Sequence, residues 1–230
     1  MFDLAELWAK LSEMADEKYR VFNEGLTPGT KGRSLGVRMP ELRKAARRIL
    51  KEDPAGFLDV SLGHEVHEIN LLHAIVLAKM ECSLAERLRR LEAFVPEIGN
   101  WAVCDVLCND LKPVYEDRAT LMEFLKKCIA SGREFEVRFG YVMLMLYYRD
   151  ETWIGETMQL YGEFRHDGYY ARMGAAWGLS MLFVAQRERV MEFLQSDSLD
   201  GFTHNMAIRK ACESYQVSEA DKAVLRTLRR

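Results

Sequence analysis

Leu121-Met-Glu-Phe-Leu125-Lys-Lys-Cys128-Ile129 and Glu134-Phe-Glu-Val-Arg138-Phe-Gly-Tyr141-Val-Met-Leu-Met-Leu-Tyr147-Tyr148 decide the fold. In the first, the apolar residues fall at steps of three and four, the period of a helix with one buried face. The second leaves little polar face, so its helix is expected to be buried on most sides. The same steps recur in Met158, Leu160, Tyr161 and Phe164, and in Ala211, Tyr215, Ala223, Leu225 and Leu228. No segment alternates as a half-buried strand does. Pro28, Pro40, Pro54, Pro96 and Pro113 all lie in the first half, and residues 114–230 contain no proline. A proline-free half permits many consecutive helices.

Capping signals set the expected boundaries. Ser83 followed by Glu86 is a capping box, Pro40 suits a first turn, and Ser218 is placed to cap the last helix, with Asp221 in its first turn. The spacing predicts helices over 3–24, 39–51, 64–80, 84–96, 100–111, 117–131, 134–148, 152–165, 168–184, 186–196, 202–215 and 218–229. Glu136-Val-Arg138-Phe-Gly, Ala171-Arg172-Met-Gly and Ile208-Arg209-Lys-Ala each open a helix with an early arginine, a weak repeat near the length of a HEAT-type helix pair. The expected fold is all-α: a right-handed α-solenoid of stacked antiparallel helix pairs (a HEAT-like or ARM-type superhelix) over residues 1–230 as a single HEAT-like repeat domain. Such a stack curves and presents a concave face. An all-α bundle without true repeats is the alternative.

Composition narrows the function. The chain has 230 residues, 49% apolar and 29% charged, which excludes disordered, collagen-like and simple coiled-coil chains. No apolar run reaches the 18 residues that would suggest a membrane span, and an acidic residue stands near the start, where a signal peptide needs a basic flank. Five cysteines (Cys82, Cys104, Cys108, Cys128, Cys212) are odd in number and sit in apolar helical patterns, which fits a reduced, cytoplasmic protein. The net charge is −3, so nucleic acid would have to be held by a local positive face. Residues 31–51 offer one: Lys31, Arg33, Arg38, Arg43, Lys44, Arg47, Arg48 and Lys51 against Glu41 alone. A solvated helix face plus a loop explains the same residues.

In Gly99-Asn-Trp101-Ala-Val-Cys-Asp105-Val-Leu-Cys-Asn109, the spacing places Cys104, Leu107, Cys108 and Leu111 toward the core. Trp101 and Asp105, four apart, share a stripe at the margin of that apolar face. They either look into a cleft, or are a packing indole beside an aspartate that pairs with an arginine. Arg138 needs a carboxylate or phosphate partner if it is buried. Tyr169, Tyr170, Arg172 and Trp177 are core aromatics with their arginine, or a cation–π surface. His64, His67 and His73 are most simply a solvated face. No second Cys/His pair accompanies Cys104 and Cys108, so metal binding is not expected. Gly29-Thr-Lys-Gly-Arg-Ser34 is too loose to be a phosphate loop.

Leu35-Gly-Val-Arg-Met-Pro-Glu-Leu-Arg43, Asn100-Trp-Ala-Val-Cys-Asp105, Glu136-Val-Arg-Phe-Gly140 and Tyr169-Tyr-Ala-Arg-Met-Gly-Ala-Ala-Trp177 together resemble the AlkD-like DNA alkylation repair family. Asn205-Met-Ala-Ile-Arg-Lys-Ala-Cys-Glu-Ser-Tyr215 is similar to its short bacterial branch. The resemblance implies a HEAT-like α-solenoid that releases cationic alkylated purines, such as 3-methyladenine and 7-methylguanine, from duplex DNA without full extrusion of the base. It implies Asp105, Trp101 and Trp177 as catalytic residues and Arg138, Arg38 and Arg172 as DNA contacts. It also implies double-stranded DNA carrying alkylated bases as partner, a monomer, and no metal, small-molecule cofactor or membrane. In one respect the chain departs from the family pattern: Ser180 stands where an arginine follows the second tryptophan by three residues. A non-catalytic HEAT-like module that binds branched or damaged DNA or a protein partner, and a scaffold with no nucleic-acid role, are the competing readings.

Overall fold

A computed structural model describes residues 2–28, 33–112 and 117–230. Among these residues there are fourteen α-helices and no strand; Arg33 and Val66 form an isolated parallel bridge. The chain divides into two compact units, residues 1–117 and 118–230. Residues 29–32, which include Gly29 and Lys31, lie outside the described residues, as does Pro113.

The first unit contains α1 (Leu4–Glu13), α2 (Glu17–Leu26), α3 (Met39–Glu52), α4 (Pro54–Ser61), α5 (His67–Lys79), α6 (Leu84–Phe94) and α7 (Trp101–Asp110). Helix α5 is its centre: it packs against α3 and α7, and also against α4 and α6. From His67 to Ala78 every residue but Asn70 is buried. The second unit contains α8 (Arg118–Ala130), α9 (Glu134–Tyr147), α10 (Ile154–Gly162), α11 (Tyr169–Ala185), α12 (Arg187–Gln195), α13 (Gly201–Glu213) and α14 (Glu219–Thr227). Here α9, α11 and α13 pack in a row, while α8 backs α9, α12 backs α11 and α14 backs α13. These three helices carry the arginines of the sequence repeat, but only Arg138 and Arg172 stand near a helix start; Arg209 lies well inside α13, so its motif does not open a helix. The all-helical expectation holds, and α9 is buried nearly all round, as its composition required.

Several predicted ends move by up to three residues, and two elements differ in kind. The helix predicted over 3–24 is two helices, because Asp16 starts a new one: its Oδ1 accepts from Tyr19 N at 3.0 Å. Helix α4 was absent from the prediction, although Asp53 caps it (Oδ1 accepts from Gly56 N at 2.9 Å) and Pro54 takes its first position. The Ser83 cap forms, its Oγ accepting from Glu86 N at 3.2 Å. The Glu86 carboxylate turns instead to Arg89 and Arg90, so the reciprocal half of the box does not. Ser218 Oγ caps α14 through Asp221 N at 3.1 Å.

The histidines correct a further expectation. His67 and His73 are not on a solvated face; both are buried. His73 stacks on Phe94 with ring centroids 4.1 Å apart, and its Nδ1 lies 2.8 Å from Ser61 Oγ. Burial, aided by the charge of Arg90, lowers its pKa to about 3. The unfolded chain therefore takes up a proton near pH 6.5 that the folded chain refuses. His73 thus contributes stability above pH 6.5, and that contribution falls as the pH drops toward 3, by about 1.4 kcal/mol per pH unit. Burial lowers the pKa of His67 as well, so its effect has the same sign. Urea unfolding at pH 6.5 and pH 5 should show a drop in stability that is about 2 kcal/mol smaller in His73→Gln than in wild type; equal drops would refute the assignment.

Candidate functional site

The site is built on α7. Asn100 caps this helix: its Oδ1 accepts from Val103 N at 3.1 Å. The amide NH2 is thereby turned toward His67 Nδ1, 3.2 Å away. An NH2 group only donates, so Nδ1 accepts and the proton of the neutral imidazole sits on Nε2. Burial, which lowers the His67 pKa, favours the same neutral state, against the opposing pull of Glu68. The start of α7, and with it Trp101, is thus fixed to the start of α5.

Glu68 is the residue that sequence reasoning missed. It is buried, and its carboxylate accepts from three successive backbone N–H groups: Leu35 at 3.0 Å, Gly36 at 2.8 Å and Val37 at 3.3 Å. Ser34 Oγ donates to it as well, at 3.0 Å. Such a run of N–H groups is a backbone nest for an anion. Gly36 makes the turn possible: its φ is +77°, and a Cβ there would lie 2.2 Å from Asp16 O. The Leu35–Arg43 motif therefore begins as a loop wrapped round a carboxylate and continues as the first turn of α3.

Between these elements lies a cleft of about 440 Å³ within the first unit. Trp101, Asp105 and Asn109 line it from α7, and Met39 and Arg43 from α3. His67 and Glu68 stand at the start of α5, and Tyr19, Asn23 and Leu26 on α2. Trp101 and Asp105 are both half-buried. The indole is oriented by its Nε1, which donates to Leu26 O at 3.0 Å. Helix α2 carries no buried side chain of its own, and Val21, Phe22 and Leu26 are exposed.

Four of the seven described cations of residues 31–51 are met by acids. Arg38 Nη2 bonds Asp16 Oδ2 at 2.9 Å, with its guanidinium 4.5 Å from the Tyr19 ring centre. Arg43 pairs with Asp110, Lys44 with Glu41, and Arg48 with both Glu52 and Glu6. Asp16, Asp110, Glu6 and Glu52 all lie outside the counted window. Arg38 therefore stands beside the cleft, on Tyr19, and not in its wall.

Trp177, Arg138 and Arg172 belong to the second unit. Arg138 is buried on α9, and its Nη1 donates to Tyr170 O at 2.9 Å. It packs against Gly174 of α11, where an added Cβ would lie 3.0 Å from Arg138 Cγ. Trp177 is half-buried on α11. Ser180 is buried, and its hydroxyl donates to the Trp177 carbonyl at 2.7 Å. Arg172 stands over the Phe202 ring at 4.9 Å, bonds Asp167 O, and lies 3.8 Å from Asp200. Among the described residues, no three His, Cys, Asp or Glu side chains are grouped as metal ligands would be, and no helix is long and apolar enough to cross a membrane.

Residues 7–215 match the model of the DNA alkylation repair enzyme family. No curated protein and no solved structure matches the chain.

Glu68→Ala leaves the three N–H groups of the nest without their acceptor and should cost about 3 kcal/mol in urea unfolding. Glu68→Gln, which keeps one acceptor oxygen, should lose about half as much. Amide exchange at residues 35–37 should accelerate in both variants. Unchanged stability in Glu68→Ala would show that the nest does not hold the loop.

Proposed function

Because this chain belongs to the DNA alkylation repair enzyme family, we propose that it hydrolyses the N-glycosidic bond of cationic N3- or N7-alkylated purines in duplex DNA. The observation that carries the reading is the placement of Asp105, a half-buried carboxylate in the wall of the same cleft as the Trp101 indole.

An N-alkylated purine already bears a positive charge. When the bond from C1′ to the base breaks, its electron pair goes to the base and neutralises that charge, so no acid has to protonate the leaving group. Positive charge then develops on the deoxyribose. The Asp105 carboxylate stabilises that charge and orients the water that adds to C1′, and takes up the proton the water releases. The products are the neutral alkylated base, an abasic site and one proton. The electron-rich face of Trp101 favours a cationic lesion or sugar over a neutral one. Trp177 is proposed to serve in the same way, with Arg138, Arg38 and Arg172 as DNA contacts.

The fold proposed is the right-handed HEAT-like α-solenoid, with residues 1–230 as one repeat domain. Its support is the order within each unit, where successive inner helices stand in a row with partners behind them. A cytoplasmic monomer acting without a cofactor completes the reading. One observation favours the second reading, a DNA-binding module without catalysis: Ser180, which replaces the arginine of the glycosylase pattern, is buried and bonded to its own helix.

Base release from methylated duplex DNA distinguishes the two. Wild type should release 3-methyladenine or 7-methylguanine, and Asp105→Asn should be slower by about 10²-fold or more with little change in DNA binding. DNA binding by wild type with no release above the Asp105→Asn level would establish the non-catalytic module instead.

A further inference from the structure

The cleft is short of positive charge for a place that receives DNA. Its wall carries two carboxylates, Asp105 and Glu68, and a neutral His67. A phosphodiester entering beside Asp105 meets repulsion, which some cation has to offset. Arg43 is the one lysine or arginine among the described residues of the wall.

Its setting is unusual. Arg43 Nη1 bonds Asp110 Oδ2, and the other oxygen of that carboxylate lies 3.6 Å from Lys79 Nζ. Two cations from α3 and α5 thus share one carboxylate from α7, leaving a net charge of +1. Asp110 is the last residue of α7, where a negative charge opposes the helix dipole and cations suit it. The acid therefore serves as the fixed point for its two partners and not as a helix-stabilising charge. Its side chain is 11% exposed, against 33% for Arg43 and 43% for Lys79, so the anchor is better shielded than either cation, and both cations reach solvent. Arg38 does not compete for the role, since it is engaged by Asp16 and Tyr19 outside the wall.

We propose that Arg43 binds a backbone phosphate of the duplex at this cleft. Asp110 positions its guanidinium, and Lys79 supplies the second charge that keeps the site cationic. A guanidinium held by one nitrogen keeps its remaining N–H groups for a phosphate, and the ordering of its side chain is already complete before DNA arrives. The inference rests on the DNA-repair reading above.

The test is binding of a duplex that holds a stable abasic-site analogue, with uncharged methylphosphonate placed at one phosphate at a time. Wild type should lose roughly tenfold in affinity at one position near the analogue, as expected for one charged contact. Arg43→Gln should bind the all-phosphate duplex about tenfold more weakly, lower the salt slope by about 0.9, and lose nothing more at that position. Arg43→Lys should keep the salt slope. Lys79→Gln, an exposed change that the fold tolerates, should shrink the loss at the same position. An identical methylphosphonate profile in wild type and Arg43→Gln would overturn the proposal, as would an unchanged profile in Lys79→Gln if Arg43→Gln does not fold. Wild type that binds no duplex DNA at low salt overturns the repair reading and this proposal together. Wild type that releases bases while its profile is indifferent to Arg43 overturns this proposal alone.

Discussion

A carboxylate buried at the start of a buried helix is the constraint on which the first unit depends. Glu68 is removed from water, and a buried charge is tolerated only where donors surround it. The loop of residues 34–37 supplies those donors from its own backbone. The requirement acts in both directions. The acid fixes the loop, and the loop fixes where α3 begins, so Met39 and Arg43 reach the cleft in one position. Beside it, Asn100 ties His67 to the cap of α7 with a bond that leaves only one tautomer of the ring. Two neighbouring polar contacts at the head of α5 thus set the register of α3, α5 and α7, three of the helices that line the cleft.

The electrostatic character of the cleft follows from this arrangement. Glu68 is saturated by its donors and acts as structure, while Asp105 is half-buried on a wall with the Trp101 indole. Four cations of the basic segment are tied to acids of α1, α3 and α7 and to the cap of α2, which lowers the net charge of that face.

Much of this was legible in the sequence, and the remainder has a common physical reason. Helices with a strong three-and-four period, such as α8 and α9, stand within a residue or two of their predicted ends. The Trp101 and Asp105 stripe at the margin of an apolar face was readable because both residues lie on one helix, where spacing alone fixes their neighbourhood. The break at Asp16 and the short helix α4 escaped notice although their caps were present. A capping aspartate inside a polar run gives no change of period to mark it. Glu68, Arg43 with Asp110, and the buried His73 were not legible, because each is defined by a partner on another helix. The charge count over residues 31–51 overstates the local positive charge for the same reason: a window along the chain omits the acids that lie beyond it.

Helix α2 forms one wall of the cleft yet buries none of its own side chains. Its polar fastenings include the Trp101 bond to Leu26, the Arg38 pair with Asp16, and the ring of Tyr19 under that arginine. Interactions of this kind are individually worth about 1 kcal/mol, far less than the burial that secures α5. The width of the cleft is consequently governed by the weakest-held element of the unit. Sub-global opening of this edge draws on a small reservoir of free energy, while the helices that bear Asp105 and Arg43 stay in the cooperative core.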